Sequence, residues 1–396
     1  MKLSILASTK PGYTLSKDEA LLLAGHEAGI CYMRDDIEAL TSEPKEQTIK
    51  RVNGTIKSGH HSVFGHPTYS FIIEGVPKII AMLLNNEHEY CTSEKSARYT
   101  TMQTSALEQE IYEKWIAKFE GLITKQYPQL ADTIVHKLAL ENARYFISVF
   151  TPATTMGYTV NLRQANYIIN WCIELAKRAD ESPFFEQLAP HLTELAELLS
   201  ELVGVDNLSD GKGRSFSLFS NRFRKQEFGE TYSVNYKGTF SQLAQAQRHR
   251  SLTYEMIPPT LEDIKFYVPP IIHDLNTHTE YIDDMKKLAR QFPQGTIISI
   301  NERGTAEAFA LKCHERLCGA AQREICIRTK NTLDTYLEAV DPKAKHHGMP
   351  KVYSEPNPDI YNMLKAYEDK TKCQFGFYKC DRPCPLGPAM AYERLI

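Results

Sequence analysis

TYSFIIEGVPKIIAMLLNNEH at residues 68–88 and TYSVNYKGTFSQLAQAQRHR at residues 231–250 share one plan. Each opens with a Thr-Tyr-Ser run whose apolar and polar residues alternate, the pattern of a half-buried strand. A glycine then breaks the strand (Gly75 in one, Gly238 in the other) and an apolar helical stretch follows. Pro77 stands nine residues before Asn86, and Thr239 stands nine before Arg248. Residue identity between the stretches is low, so it is the order strand, break, helix that predicts two copies of one α+β module.

Outward from the first stretch, Lys17 to Tyr32 is predicted to be a helix capped by Ser16, with Ala20, Leu21, Leu23, Ala24, Ala28 and Ile30 as its apolar stripe. Pro44 to Ile56 is a more polar helix stopped near Gly59, and the opening KLSILAS is a strand. From Ala106 to Val203 the pattern is helical almost throughout, in stretches 107–124, 130–147, 158–177 and 184–203. Gly204, Gly211 and Gly213 lie in a polar segment that reads as a boundary. Beyond it come a helix over 240–250, a helix over 274–291, a strand over 296–300 and a helix over 306–330. The division expected is 1–205, 206–340 and an irregular Cys-, Pro- and Gly-containing tail, 341–396.

Composition excludes several classes. The 396 residues are 42% hydrophobic and 24% charged, ordinary for a globular protein. Lys and Arg (46) nearly balance Asp and Glu (49), unlike a general nucleic-acid binder. No stretch approaches the roughly 20 apolar residues of a membrane helix. Nine scattered cysteines and no secretory leader suggest reduced thiols and a cytoplasmic protein.

Four constellations invite chemistry. Gln245 and the triplet Arg248-His249-Arg250 close a predicted helix, and the planar fork of arginine suits phosphate or ring carbonyls. Their bland alternative is a solvated C-terminal turn that favours cations. Glu94, Ser96 and Arg98 alternate, so an extended segment would point them one way; a surface loop with a salt bridge is the competing reading. Arg163, on an otherwise apolar stretch with Asn161, needs a partner, either a phosphate or an ordinary carboxylate. Cys373, Cys380 and Cys384, with His346 and His347 upstream, are weak metal candidates that lack paired CxxC knuckles. There is no Walker loop, GxGxxG, GxSxG or HExxH.

Together these pieces resemble the flavin-dependent thymidylate synthases. The family signature is an RHR triplet, a serine three residues later, and an NExSxRY-like stretch. Here it is divided between the halves. The first half carries Glu94, Ser96, Arg98 and Tyr99, but Asn86, Glu87 and His88 replace RHR and Cys91 replaces the serine. The second carries Gln245, Arg248, His249 and Arg250, with Thr253 for the serine and no SxRY. KLSILASTKPG…AGICY and GHHSVFGH (residues 59–66), Glu141 to Arg144 and Asn161 to Arg163 also match, as do Ala289 to Pro293 and Ala321 to Ile325 in the second half.

The resemblance implies two tandem copies, each a small, mostly antiparallel sheet with long helices. It implies reductive methylation of dUMP, with FAD as cofactor and NADPH and methylenetetrahydrofolate as co-substrates. Arg248, His249, Arg250, Ser96 and Arg98 would form the catalytic set, without Ser96 as an obligatory nucleophile. Arg248, His249, Arg250, Glu94, His60 and His61 would hold the flavin. Gln245, Glu94, Ser96, Arg98 and Arg163 would hold the nucleotide. One composite site per chain would draw on both halves, and a homodimer would form a pseudo-tetramer. The departures at Cys91, Thr253 and Glu307 leave open a related pyrimidine chemistry such as hydroxymethylation, or a silent binding protein.

Overall fold

The computed structural model describes residues 1–10, 15–30, 37–88, 90–219, 224–343, 353–354, 356–381, 384–388 and 390–396. It contains two compact units that do not follow chain order. One comprises Met1–Ser96 and Phe150–Phe216, the other Ala97–Val149 and Ser217–Ile396. Residues 97–149, read from sequence as part of the first half, therefore fold with the second. The boundary expected at 204–214 falls just after Phe216.

The chain runs β1 (Lys2–Ser8), α1 (Lys17–Ile30), α2 (Ile37–Thr41), α3 (Lys45–Ser58), β2 (Thr68–Val76), α4 (Lys78–Leu84) and β3 (Tyr90–Glu94). Next come α5 (Ala106–Gln126) and α6 (Asp132–Ala143), both in the second unit. The first unit then continues with β4 (Thr154–Asn161), α7 (Leu162–Ala176) and α8 (Pro183–Val203). The remainder is β5 (Glu227–Phe228), β6 (Thr231–Thr239), α9 (Phe240–Ala246), β7 (Thr253–Ile257), α10 (Leu275–Lys287), β8 (Ile297–Thr305), α11 (Ala306–Arg316), α12 (Arg323–Val340), β9 (Tyr353–Ser354), α13 (Pro358–Lys365) and α14 (Met390–Glu393).

Two small sheets result, making the protein α+β. The first has the order β1-β2-β4-β3, the second β7-β8-β6-β5-β9. In the first, β4 is the antiparallel neighbour of both β2 and β3; in the second, β8 has that place between β6 and β7. Each central strand passes straight into a helix through a capping side chain. Asn161 accepts from the Gln164 amide and Thr305 from the Ala308 amide, satisfying donors that a helix start leaves open.

Strand β4 corrects the sequence reading, which placed a helix from residue 158. TTMGYTVN buries Thr154, Met156, Tyr158 and Val160 and leaves the residues between them half-exposed, a period of two. The predicted helix over 306–330 is two helices, α11 and α12, with a turn over 317–322. Lys17 to Ile30 is helical, capped by the Ser16–Glu19 box; Cys31 and Tyr32 lie outside the described residues. Helix α3 ends on Gly59 at φ 74°, a left-handed cap that suits glycine.

In the second unit α5 packs on α10. The Trp115 indole donates to Asp284 at 2.9 Å, and its ring meets Tyr281 at 4.9 Å. The tail is less irregular than expected. It forms α13 and α14, and Arg394 and Ile396 are buried. Among the described residues no group of three His, Cys, Asp or Glu side chains is placed to hold a metal, so Cys373, Cys380 and Cys384 do not form a centre. His346 and His347 lie outside the described residues.

Candidate functional site

The RHR triplet does not sit on a helix. Helix α9 stops at Ala246, and the chain turns through residues 247–252 into β7. The turn is held by the Arg248 amide on the Gln245 carbonyl and the His249 amide on the Ala246 carbonyl. Arg248 and Arg250 are exposed, whereas His249 is buried between them. A turn can alternate its side chains in this way, where a helix would fan them around its axis.

His249 is neutral. Burial, with the charges of Arg316 and Lys312, holds its imidazole at about 2. Its Nε2 accepts from Arg316 Nε at 2.7 Å, while Arg316 Nη2 reaches the Gln245 carbonyl. The histidine thus orients an arginine that sequence reading missed. Burial lowers the pKa of the Arg316 guanidinium, and the like charges of Arg98 and Arg248 lower it further.

Residues from the 97–149 segment complete the cluster. Arg98 pairs with buried Glu141 through Nε and donates through Nη2 to the Ala320 carbonyl at 2.9 Å. Arg144, at the end of α6, is 7% exposed, and its Nε and Nη2 find no hydrogen-bond partner among the described residues. Burial depresses its pKa while Glu141 opposes the shift and Arg98 adds to it. Orphaned guanidinium donors in a protein interior are costly and rare. Gln245 donates to Gln322 Oε1 at 2.6 Å, and Gln322 donates to the Tyr145 hydroxyl. The Oε1 of Gln245 is itself buried without a partner among the described residues. One unit therefore gathers Arg98, Arg144, Arg248 and Arg316, with an unsatisfied acceptor on Gln245.

The remaining expected residues lie in the first unit. Glu94, at the end of β3, pairs with Lys78, and the unit ends two residues later at Ser96. Glu94, Ser96 and Arg98 thus do not form one set within an extended segment, because Arg98 lies in a turn of the other unit. Arg163 is the second residue of α7, after the cap Asn161. His60 is exposed. Both ring nitrogens of His61 are engaged, one by the Tyr167 hydroxyl at 3.0 Å and the other by the Ile56 carbonyl at 3.1 Å, which leaves none for a flavin. Arg144, Arg316 and Gln322 are the residues that sequence reading did not assign to the site; Arg144 and Gln322 stood in the matching stretches Glu141–Arg144 and Ala321–Ile325 but were given no role.

No helix among the described residues is long and apolar enough to cross a membrane. No curated protein matches the chain. Among solved structures, a UMP/dUMP methylase, PolB from Streptomyces cacaoi bound with 5-Br dUMP, is 15% identical over 52% of this chain and 96% of that one, with a TM-score of 0.29. The flavin-dependent thymidylate synthase ThyX from Helicobacter pylori, complexed with FAD and dUMP, is 17% identical over 51% of this chain and 100% of that one, also at 0.29. The family model of thymidylate synthase complementing protein matches residues 14–181, a span that includes Arg98, Glu141 and Arg144. Over residues 14–181, less than half of its length, the chain is thus similar to the thymidylate synthase complementing protein family.

Proposed function

We propose that the protein methylates a pyrimidine nucleotide, dUMP, at one composite site per chain, using FAD with NADPH and methylenetetrahydrofolate. The observation that carries this reading is the cluster in the second unit, where Arg98 and Arg144 from the family-matching segment meet Gln245, Arg248 and Arg316 from the second half. The orphaned donors of Arg144 and the orphaned acceptor of Gln245 suit the carbonyl and N–H edge of a pyrimidine. The other arginines supply charge for a phosphate.

Neutral His249 keeps Arg316 aimed by accepting from its Nε. As negative charge develops on a ring carbonyl, preorganised guanidinium donors stabilise it without reorganising. Exposed Arg248 and Arg250 fit the diphosphate of FAD, which supplies the hydride when bound and reduced. His61 does not fit that role; Glu94, Ser96, Arg163 and His60 stand in the first unit, and their roles are implied by the resemblance alone. The matching strand orders and helix caps support an origin as two fused, diverged copies, and we infer that two chains pair into a pseudo-tetramer.

The test is the visible spectrum of the protein with added FAD, titrated with dUMP and followed by an assay for dTMP. Flavin bands that shift with dUMP, and dTMP that forms, are the expected result. Flavin that binds but ignores dUMP would overturn the substrate assignment, and absence of flavin binding would leave a silent family member.

A further inference from the structure

The C-terminal segment reaches into the same unit through one buried arginine. Arg394 is 1% exposed. Its Nη1 donates to the Gly319 carbonyl and its Nη2 to the Ala321 carbonyl. Between those two lies Ala320, whose carbonyl accepts from Arg98 at 2.9 Å. The next residue, Gln322, is the partner of Gln245 and Tyr145. The turn over 317–322 follows directly from α11, whose last residue is Arg316.

Other contacts fix the segment that carries Arg394. Its own carbonyl accepts from Arg323 Nε at 2.6 Å. The Leu395 amide donates to the Tyr127 hydroxyl at 2.9 Å, and the Leu395 carbonyl accepts from the Ile271 amide at 3.0 Å. Gly319 passes close to the same segment, since a Cβ there would lie 2.6 Å from Cys384 Sγ. A guanidinium that spans two carbonyls with a planar fork fixes both distance and direction, which a single-point cation does not.

We propose that Arg394 is a positioning residue of the composite site: it sets the Ala320 carbonyl and Gln322, and through them the orientation of Arg98 and Gln245. This rests on the reading of that cluster as the nucleotide site. Both of the Arg394 guanidinium bonds go to backbone carbonyls of the turn. The arginine acts by holding the turn at two carbonyls at once, where Arg98 on the Ala320 carbonyl and Cys318 Sγ on the Ala320 amide each hold it at one point. Displacement of about 1 Å in a binding constellation is enough to lower its efficiency by large factors.

The experiment measures dUMP binding by calorimetry for the full-length parent, Arg394→Gln, Arg394→Lys, Arg98→Gln and the double variant Arg98→Gln/Arg394→Gln. Thermal melts identify any variant that fails to fold. The expected result is about tenfold weaker dUMP binding for Arg394→Gln, partial recovery with lysine, and a double variant no weaker than Arg98→Gln alone, as coupled residues behave. Losses that add, or an Arg394→Gln protein that binds like the parent, would overturn the proposal. If the parent binds no dUMP, the nucleotide reading fails on its own. Amide hydrogen exchange across 97–100 and 317–322 then decides the brace: faster exchange in both segments of Arg394→Gln supports it, and change confined to 317–322 overturns it.

Discussion

The turn after α4 and the turn after α9 occupy the same place in two sheets of the same strand order, yet they differ in charge. After α4 the chain reads Asn86-Glu87-His88, with Glu87 buried. Arg214 approaches that carboxylate at 3.5 Å, bonds Asp210 and lies over the Trp171 ring at 3.8 Å. After α9 two arginines are exposed and a neutral histidine is buried. The first turn has a carboxylate where an anion would need a donor, and an exposed arginine that approaches it. The second keeps cations outward and leaves donors and an acceptor unsatisfied nearby. On the proposed reading, the first turn serves internal packing and the second serves a ligand.

The interiors differ in the same sense. Three residues before the cap Thr305 stands Glu302, and seven after it Lys312; both are fully buried and ion-paired, with Tyr232 and Tyr236 donating to the same carboxylate. At the corresponding distances from Asn161 the first unit has Tyr158 and Ile168, both buried. Removing one partner of a buried pair leaves an uncompensated charge, so Lys312→Met is expected to cost about 3–5 kcal/mol in a urea unfolding curve. Adding Glu302→Leu is expected to recover much of that. A cost near zero for the single change would erase this difference between the units.

Ligand binding offers the next largest contrast. Arg144→Gln removes charge-assisted hydrogen bonds worth about 1.5–3 kcal/mol, so dUMP affinity is expected to fall by roughly 10- to 100-fold in calorimetry. The same titration of the parent is expected to give one dUMP per chain. Two per chain would show that the Asn86–His88 turn has kept a site.

Acid sharpens the contrast further. Unfolded, His249 protonates near its ordinary value of 6.5; folded, it resists until about 2. Between those limits the unfolded chain holds the extra proton, so the stability tied to His249 is complete above about 6.5 and is lost as pH falls toward 2. His249→Gln is expected to flatten the decline in melting temperature between about pH 6.5 and 4. An unchanged slope would mean that His249 is not the group responsible. The smallest effect concerns the shared feature: Asn161→Ala and Thr305→Ala are each expected to cost about 1 kcal/mol, because both remove a helix cap. A large inequality between them would weaken the equivalence of β4 and β8.

The alternation in residues 68–76 and 231–239 was readable because strands with one buried face write their period into the chain. Strand β4 has the same period but was absorbed into a helix, since Tyr158, Val160 and Leu162 also fit the apolar stripe of the helix that follows. The RHR triplet and Arg98 were visible as motifs. Arg316 was not, because an arginine on a helix looks solvated until its partner, a buried histidine, is placed in space; Gln322 lay in the matching stretch Ala321–Ile325, but nothing local shows that it bonds Gln245 and Tyr145. Nor does any local pattern announce that 97–149 folds with residues beyond 217; that depends on side chains such as Trp115 and Asp284, 169 positions apart.

That exchange of a segment has a consequence for synthesis. Arg98 and Arg144 leave the ribosome long before Arg316, and Arg394 emerges last of all. Until then α5 and α6 have no α10 to cover them, and the first unit must close its sheet around a 53-residue excursion (Ala97–Val149) still waiting for its partners. The interior that Trp115 shares with Tyr281 and Asp284 can therefore form only once residues beyond 280 have been made. A cut near residue 216 would leave the first unit all of its residues and take Ala97–Val149 away from the second.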